Sequence, residues 1–502
     1  MKYRFLIAGI LQLAVISVFA QNTERIEIRN ANSFEINEKI AKGVRRFLGD
    51  VIFEHNDAIM YCDSAYYFPK ENMMHAYSNV QMNRGDTLHM YGDFLLYNGN
   101  TSVGKVRHNV RLVDEQATLT TDSLDFNTRT NVAYYSNGGR IVSETDSLES
   151  SIGYYYANDK MFIYKDSVRI KTEEYLVLTD TLHYNTADEI AYFFGPTEIF
   201  NEENYLYCEH GWYKTNERKF QFNKNAKYTN KEHILKADSL FYDDSLGIGR
   251  ARMNVEIIDT TQDMLLKGNF AHYVKEPEYF FLTDSAVMVQ VSEGDDSLYM
   301  HADTLMSHYD TSDTYRILKA FYKVKIYKSD LQGKCDSLVY TFNDSIIRLY
   351  NEPVIWSGES QMTANLVAIH TENQEMEHFE LQGKAFIISK EDSVHYNQIF
   401  GKKMLGFFID GELRRMEVYG NGQSIYYTTE EGDVVGMNKA ESSDIFIYLK
   451  DGQVSKISMI KKPDGILYPL DEVKAEESLL KGFKWWEMYR PKSYRDIFVW
   501  EN

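Results

Sequence analysis

The sequence predicts an all-β protein, an elongated β-jellyroll or solenoid-like stack of two-sheeted repeats with a period of about 29 residues. Two observations predict this fold: a short motif recurs along the chain, and apolar and polar residues alternate around it. Repeats of this length are typical of stacked architectures, because one unit cannot bury its own apolar face. The motif centres, called anchors below, are Asp63, Asp93, Asp122, Ser151, Asp180, Glu209, Asp238, Asn269, Asp303, Asp336 and Asn365.

The chain begins with a segment typical of export. Lys2 and Arg4 precede an apolar run that ends at Ala20, which predicts a cleavable signal peptide over residues 1–20. An uncleaved membrane anchor is the alternative, but the run is short for a membrane span and contains Gln12. We therefore expect an exported protein that is soluble once the signal peptide is removed.

The charge of the chain limits its partners. The formal net charge is −20, which argues against a nucleic-acid partner and against docking of the protein on anionic lipid headgroups. An anionic ligand would have to be held mainly through an apolar portion.

Each repeat has the same pattern around its anchor. Position −3 is apolar with Gly333 as the exception, position −1 is small, position +2 is mostly Leu, and position +4 is aromatic in nine repeats. The three cysteines, Cys62, Cys208 and Cys335, all occupy the small position. Repeats four or five strands apart lie roughly 20 Å from each other, too far for a disulfide. We interpret the cysteines as small core residues.

The parity of these positions predicts a bend. Positions −3 and −1 are odd and positions +2 and +4 are even, so a regular strand would bury only one of the two sets. Both sets are apolar, which predicts a bend or bulge near the anchor. The anchor carboxylate would then bond backbone N–H groups at the bend, or its neighbours in the stack.

The residues at +2 and +4 form an apolar ladder that has two interpretations. They fill a closed core, or they line a slot in which acyl chains lie between sheets that do not fully close. Alternation alone does not separate these interpretations. The candidate lipid-facing residues are Leu95, Tyr97, Leu124, Phe126, Leu182, Tyr184, Leu240 and Tyr242.

The predicted organisation has three parts after the signal peptide. Residues 21–385 carry the repeats, and residues 386–468 form a modified section whose Asp410-Gly411 and Asp451-Gly452 pairs predict β-hairpins. Residues 469–502 form an aromatic tail, which is either a cap on the last strands or a docking peptide.

The sequence contains no catalytic signature that we recognise, and we expect no enzyme activity, no cofactor and no metal site. A column of anchor carboxylates could in principle hold cations, but Ser151, Asn269 and Asn365 interrupt it.

Residues 118–141 and 235–257 resemble the repeat of OstA-like, or LptA-like, lipopolysaccharide-transport proteins, as do the turn-strand pieces at 49–53, 78–82 and 108–112. The resemblance covers roughly residues 25–390. It implies a periplasmic β-jellyroll whose apolar groove binds lipopolysaccharide or another acylated lipid. It also implies other transport components as partners through exposed β-edges, edge-to-edge self-association, and contact with the outer membrane through partners.

Two other functions stay open from the sequence. One is a structural or adhesive β-solenoid with a closed core and no lipid transport. The other is a polysaccharide-processing parallel β-helix, which would need a local cluster of acidic and basic residues that the sequence does not place at any one repeat.

Overall fold

The computed structural model describes residues 25–36, 42–55, 58–84, 88–113, 117–261, 263–291, 296–312, 314–372, 375–409, 412–430, 432–450 and 453–500. The predicted signal peptide lies outside these residues. Among the described ranges, no helix combines the length and apolar character needed to cross a membrane.

The chain divides into two compact units. The first comprises the described residues up to Glu174 together with Thr181–Ala187, and the second comprises Tyr175–Asp180 and the residues from Asp188 onward. The first unit contains β1 (Glu27–Asn30), β2 (Ser33–Ile36), β3 (Arg45–His55), β4 (Ala58–Phe68), β5 (Met73–Arg84), β6 (Leu88–Asn98), β7 (Val103–Val113), β8 (Ala117–Asn127), β9 (Val132–Tyr135), β10 (Gly139–Ser143), β11 (Ser147–Ser150), β12 (Ile152–Tyr156) and β13 (Met161–Lys171).

Strand β14 (Leu176–Asn185) has residues in both units. The second unit then contains β15 (Ile190–Phe200), β16 (Tyr205–Lys214), β17 (Lys219–Thr229), β18 (His233–Asp243), β19 (Ile248–Asp259), β20 (Met264–Val274), β21 (Tyr279–Gln290), β22 (Leu298–Tyr309), β23 (Arg316–Tyr327), β24 (Gln332–Thr341), β25 (Ile346–Tyr350), β26 (Val354–Ser357), β27 (Ser360–Thr363), β28 (Leu366–Glu372), β29 (Glu375–Lys390), β30 (Tyr396–Ile409), β31 (Glu412–Glu430), β32 (Asp433–Lys450), β33 (Gln453–Ile460) and β34 (Asp464–Pro469). Three 3-10 helices follow at Leu470–Glu472, Glu487–Tyr489 and Asp496–Phe498.

The predicted all-β fold is confirmed. Successive strands such as β17 and β18, or β18 and β19, pair antiparallel along most of their length. The strands form because Tyr, Phe, Val and Ile alternate with polar residues, a pattern that suits a pleated surface with one buried face.

Each unit contains two sheets. Individual strands pass from one sheet to the other at a corner. In the first unit, β8 pairs with β10 through Thr118–Thr121 and with β9 through Asp125–Asn127. In the second unit, β24 likewise pairs with β26 before its anchor and with β25 after it. We call the sheet that holds the residues before the anchors sheet A and the sheet that holds the residues after them sheet B.

The predicted bend lies at the anchor, but the extra residue lies on the neighbouring strand. Ala237 and Leu240 are both buried, with the outward-facing Asp238 and Ser239 between them. Opposite them, β17 has one residue more than β18 between matching ladder positions. This strand turns with Lys224 and Asn225 at φ values of 60° and 57°. A bulge bends a strand in this way and increases its twist.

The anchors bond the side chain of this corner residue, a partner that the sequence analysis did not name. At five anchors an Asn sixteen residues further on, or fifteen for Asp336, donates its Nδ2 amide to the anchor carboxylate. The pairs are Asn79–Asp63 at 2.8 Å, Asn109–Asp93 at 2.7 Å, Asn225–Glu209 at 2.7 Å, Asn254–Asp238 at 2.9 Å and Asn351–Asp336 at 3.2 Å.

The later strands of the second unit are longer than those of the repeats. Strands β30, β31 and β32 have 14, 19 and 18 residues, against about 11 in the repeats. The predicted turns at Asp410-Gly411 and Asp451-Gly452 lie outside the described residues. The strands on either side of them pair antiparallel up to Ile409↔Glu412 and Lys450↔Gln453.

Residues 470–500, called the C-terminal strap, lie across the outer face of sheet A. Three buried glutamines bond the strap. Gln398 and Gln361 each donate to a strap carbonyl, of Ser478 at 2.9 Å and Lys484 at 2.8 Å, and accept from a strap N–H. Gln332 accepts from Arg490 Nε at 2.7 Å. A second hydrophobic core lies beneath, where Leu480, Phe483 and Trp485 pack against Phe386, Ile388, Ile425, Tyr427 and Met437.

Candidate functional site

We interpret the half-buried apolar residues on the inner faces of sheets A and B, in strands β16 to β20 of the second unit, as a candidate cleft. Its floor consists of small residues next to the corner. They are Cys208, Ala226, Ala237 and Val255, all at most 4 % exposed. Larger side chains at these positions would push the sheets apart, so the small position −1 of the sequence pattern lets the two sheets converge.

The sheet B wall of the cleft is an aromatic ladder. Its members are successive ladder partners: Tyr213, Phe220, Tyr242, Gly249 and Tyr273. The Phe220 and Tyr242 rings lie 6.0 Å apart, and Phe220 stacks on buried Phe222 at 4.5 Å. The four aromatic residues are half-buried, and burial raises the pKa of the Tyr242 hydroxyl above its ordinary value. This wall therefore presents partly exposed aromatic surface to the cleft.

The sheet A wall is aliphatic for the most part. Its ladder runs through Leu206, Tyr228, Leu235 and Ile257, which pair in that order. All four are half-buried, in contrast to the floor residues beside them. Exposure thus rises with distance from the corner on both walls, as expected for a cleft that opens away from its floor.

Two glycines at equivalent positions show where the interior is closed and where it is open. Gly104 lies between Phe126 and Tyr97 in the ladder of the first unit, and a Cβ added there would overlap the Phe126 ring. Gly249 lies between Tyr242 and Tyr273, and a Cβ there would be 3.5 Å from Tyr273 Cβ and 3.6 Å from Tyr242 Cδ2. The first interior is filled by its own rings and the second has room for an additional group.

The closed part of the first unit is a dry core. Leu95, Tyr97, Leu124 and Phe126 are at most 7 % exposed and belong to one cluster with residues of both sheets, such as Phe53 and Met60. Tyr97 stacks on Phe126 at 6.4 Å.

The hydroxyl of Tyr97 also connects the two sheets of this core. His55 Nδ1 in sheet A lies 2.8 Å from Tyr97 Oη in sheet B, and Thr128 Oγ1 lies 3.2 Å from the same oxygen. Four of the eight candidate lipid-facing residues therefore lie where the two sheets already contact each other.

The other four candidates divide in the same way within each repeat. Leu182 and Leu240 are buried next to their corners, and Tyr184 and Tyr242 are half-buried. Leu240 and Tyr242 lie in the cleft of the second unit, whereas Leu182 and Tyr184 belong to the first unit.

Sequence reasoning missed the residues that complete the cleft. Phe220 and Tyr228 lie on a strand that carries no anchor, and the sheet A residues Leu206 and Leu235 were noted as position −3 but not as part of a site. The signal was present, because Phe220 and Tyr228 alternate with the polar Gln221 and Lys227, but the ladder that connects them to anchor strands needed the register.

Ion pairs mark the end of the sheet B wall. Lys219 Nζ lies 2.9 Å from Asp243 Oδ2, and Ser245 and the Leu246 N–H also donate to this carboxylate. These hydrogen bonds hold the pKa of the Asp243 carboxyl at about 2. Lys214 pairs with Glu217 at 2.5 Å nearby. The rim is charged but locally neutralised, and the apolar surface of the cleft lies inside it.

A polar depression of about 560 Å³ lies at the same corners, lined by Lys236, Glu256 and Lys267 among others. Both lysines pair with the single glutamate, at 3.4 and 2.8 Å. We regard it as a structural ion-pair cluster. Across the described part of the chain, no three His, Cys, Asp or Glu side chains are grouped as metal ligands would be.

The cysteines occupy the small positions of the repeat. Cys62, Cys208 and Cys335 are free and buried, and burial raises the pKa of the Cys62 and Cys208 thiols to about 12. Such thiols are poor nucleophiles and poor metal ligands.

Comparison with known proteins agrees with the repeat pattern. The family model of OstA-like proteins matches residues 23–180 and 168–238. No curated protein matches the chain. Among solved structures, the chain is similar to LptH, the LptA homologous periplasmic component of the conserved lipopolysaccharide transport device from Pseudomonas aeruginosa. The two chains are 17% identical, and the match covers 28% of this chain and 99% of LptH with a TM-score of 0.22. The family match extends into the cleft, as far as Asp238.

Proposed function

We propose that this chain, whose residues 23–180 and 168–238 match the family model of OstA-like proteins, is a non-catalytic periplasmic protein that binds lipopolysaccharide in its apolar cleft and carries it toward the outer membrane. One observation carries the proposal: half-buried apolar side chains line the sheet A wall over four successive strands, and half-buried aromatic ones line the sheet B wall on both sides of Gly249. Soluble proteins rarely leave such a contiguous apolar surface open without a ligand or a partner.

The chemistry of the cleft suits acyl chains. Tyr213, Phe220, Tyr242 and Tyr273 offer flat apolar faces, and Leu206, Leu235 and Ile257 face them from the other sheet. Each methylene group that moves from water into such a surface contributes about 0.8 kcal/mol. A lipid with several acyl chains could therefore bind tightly without any charged contact, which fits a chain whose net charge is −20.

The edge strands favour partners that bind by adding a strand to the sheet. Among the described strands, β2 pairs with β3 and leaves Phe34 and Ile36 each 63% exposed. At the other end of the chain, β34 pairs with β32 and leaves Ile466 and Leu467 exposed. Exposed edges with apolar side chains favour β-augmentation, and other lipopolysaccharide-transport components or further copies of this chain are the partners we propose.

Photo-crosslinking in cells tests the proposal. A benzophenone amino acid placed at Tyr242 or Tyr213 should capture lipopolysaccharide, detected as a slower band that an antibody against lipopolysaccharide recognises. The matched control is Phe241, the neighbour of Tyr242, which faces the other side of the sheet and contacts Arg250. Capture from Phe241 that equals capture from Tyr242 would rule out the cleft as the binding site.

A structural scaffold with no lipid transport is the second candidate, and the closed core around Tyr97 and Phe126 favours it for the first unit. In that case the Tyr242 probe would capture no lipid, and depletion of the protein would leave the export of lipopolysaccharide to the cell surface unchanged.

A further inference from the structure

The C-terminal strap exposes cations and apolar side chains together along one continuous segment. Between residues 480 and 500, the exposed side chains are the cations Lys481, Lys484, Lys492 and Arg495 and the apolar groups Met488, Tyr494, Phe498 and Val499. The two acidic residues of this range, Glu487 and Asp496, are half-buried. From these observations we propose that the strap docks the protein on a bilayer surface that carries anionic headgroups.

The way the strap is held explains why its apolar groups are exposed. Gln361 bonds the backbone at Lys484 and Trp486, and Lys325 Nζ donates to the Val499 carbonyl at 2.5 Å. Lys334 Nζ lies 4.1 Å from the centre of the Tyr489 ring and 4.2 Å from that of Trp500. These contacts hold the strap through its backbone and the Tyr489 and Trp500 rings, while Lys481, Lys484, Met488, Lys492 and Arg495 stay exposed.

The apolar part of this surface is suited to the headgroup region of a bilayer. Phe498 and Val499 are adjacent, and they are 49% and 51% exposed although His301 lies under the Phe498 ring at 4.9 Å. Tyr494, which stacks on Tyr299 at 5.0 Å, is also exposed. Aromatic residues flanked by Lys and Arg are typical of the interface between membrane and water, where rings lie among the headgroups and cations reach the phosphates.

The local charge of the strap favours an anionic surface as the partner, although the net charge of the whole chain argues against docking on anionic headgroups. The range 480–500 contains five basic and two acidic residues, while the whole chain has a formal charge of −20, and Glu501 follows just outside the described residues. Each Lys or Arg near an anionic surface is attracted to it, and this attraction falls off within a Debye length of about 8 Å.

Screening over the same Debye length also limits the repulsion between the bilayer and acidic residues elsewhere in the protein. The acidic groups Asp471, Glu472 and Glu476 lie at the other end of the strap, beyond Leu480. At the cationic end the two acidic residues of the strap are half-buried and the cations are exposed, so contact through this end presents mainly positive charge to the bilayer.

Flotation of the purified full-length mature protein with lipid vesicles tests this docking. We expect it to float with vesicles made of equal parts phosphatidylcholine and phosphatidylglycerol, to stay unbound with phosphatidylcholine alone, and to dissociate at high salt. The charge variant Lys492→Glu with Arg495→Glu, and the apolar variant Phe498→Ser with Val499→Ser, should each bind anionic vesicles at least about tenfold more weakly.

Matched controls lie elsewhere in the same unit. Lys461→Glu with Lys462→Glu reverses two exposed charges away from the strap, and Leu246→Ser with Val394→Ser removes two exposed apolar groups. Both should float like the unaltered protein. A chain that does not float with anionic vesicles, or control variants that lose as much binding as strap variants, would overturn the proposal.

A second measurement separates docking from misfolding of the strap. Brominated phosphatidylglycerol should quench the tryptophan fluorescence of the bound protein, and Trp500→Phe should remove part of that quenching. No quenching with vesicles that do bind the protein would show that another surface makes the contact. Neither result depends on whether the cleft binds lipopolysaccharide, so failure of docking leaves the proposed function standing.

Discussion

The side-chain amide of Asn254 donates to the carboxylate of Asp238 at 2.9 Å, across the corner between β19 and β18. Asn254 has a φ of 52°, in the left-handed region that Asn adopts more readily than most residues. The contact therefore combines a backbone conformation with a side-chain bond at the point where the strand passes from one sheet to the other. Its recurrence at four other anchors makes it the structural reason for the repeat.

Substitution of Asn254 should separate these two contributions. Asn254→Gly keeps the left-handed conformation and loses only the bond to Asp238, so we expect a loss of about 0.5 to 1 kcal/mol in the free energy of unfolding. Asn254→Ala also adds the left-handed strain of a residue with a Cβ, for a total of about 2 kcal/mol. Urea unfolding measures both values. Equal losses for Gly and Ala would mean that the conformation at this corner is unimportant.

The pair of glycines in the ladder should respond in opposite ways to the same change. Gly104→Ala places a methyl group into the Phe126 ring of a packed core, and we expect it to cost about 1 to 3 kcal/mol. Gly249→Ala meets its neighbours at ordinary contact distances, so it should be neutral or slightly stabilising. Thermal unfolding of the two variants compares them directly. A destabilised Gly249→Ala variant would show that the second interior is as closed as the first.

A larger side chain at the same position tests the cleft itself. Gly249→Leu should fill space between Tyr242 and Tyr273 and reduce lipid capture by a probe at Tyr213, while the protein keeps its unfolding temperature within a few degrees. The control is Leu246→Ala. Leu246 is exposed on the surface, so this change should have no effect on capture. Unchanged capture in the Gly249→Leu variant would contradict a lipid path past this position.

Loss of one glutamine should loosen the C-terminal strap. Gln361→Ala removes a donor to the Lys484 carbonyl and an acceptor for the Trp486 N–H, and leaving such buried groups unpaired costs about 1 to 3 kcal/mol. We expect trypsin to cut the strap faster in this variant, at Lys484 or Lys492. Gln382→Ala, an exposed glutamine of the same unit, is the control and should leave the cleavage rate unchanged.

Because Lys219 pairs with Asp243, we expect the stability of the protein to depend on pH in the acidic range. The pKa of the Asp243 carboxyl is lowered from 3.8 to about 2 by bonds from Ser245 and Lys219. A lowered pKa contributes stability above the unfolded value, and the contribution is lost as the pH falls through the folded value. The difference in unfolding temperature between the unaltered protein and Asp243→Asn should therefore be constant above pH 4 and shrink between pH 4 and pH 2. A difference that does not change over this range would exclude the carboxylate as its source.

Sequence reasoning worked best where each repeat constrains its neighbours. The small residues at −1, Leu at +2 and the parity change across Asp238 predicted two sheets and a bend, and β8 and β24 show both. It did not say which strand carries the extra residue. The signal lies in pairs such as Lys224-Asn225, which look like ordinary polar turn residues until their partners in the ladder are known.

The sequence by itself determined the all-β class, the repeat, the corner and which side chains face inward, because these follow from local alternation and a fixed period. Only the tertiary structure decided whether the inward residues meet. Tyr97 and Tyr242 occupy the same repeat position, yet Tyr97 is enclosed by His55 and Phe126 while Tyr242 stays half-exposed beside Gly249. The distance between two sheets depends on what each places opposite the other across many strands. No single repeat encodes that distance.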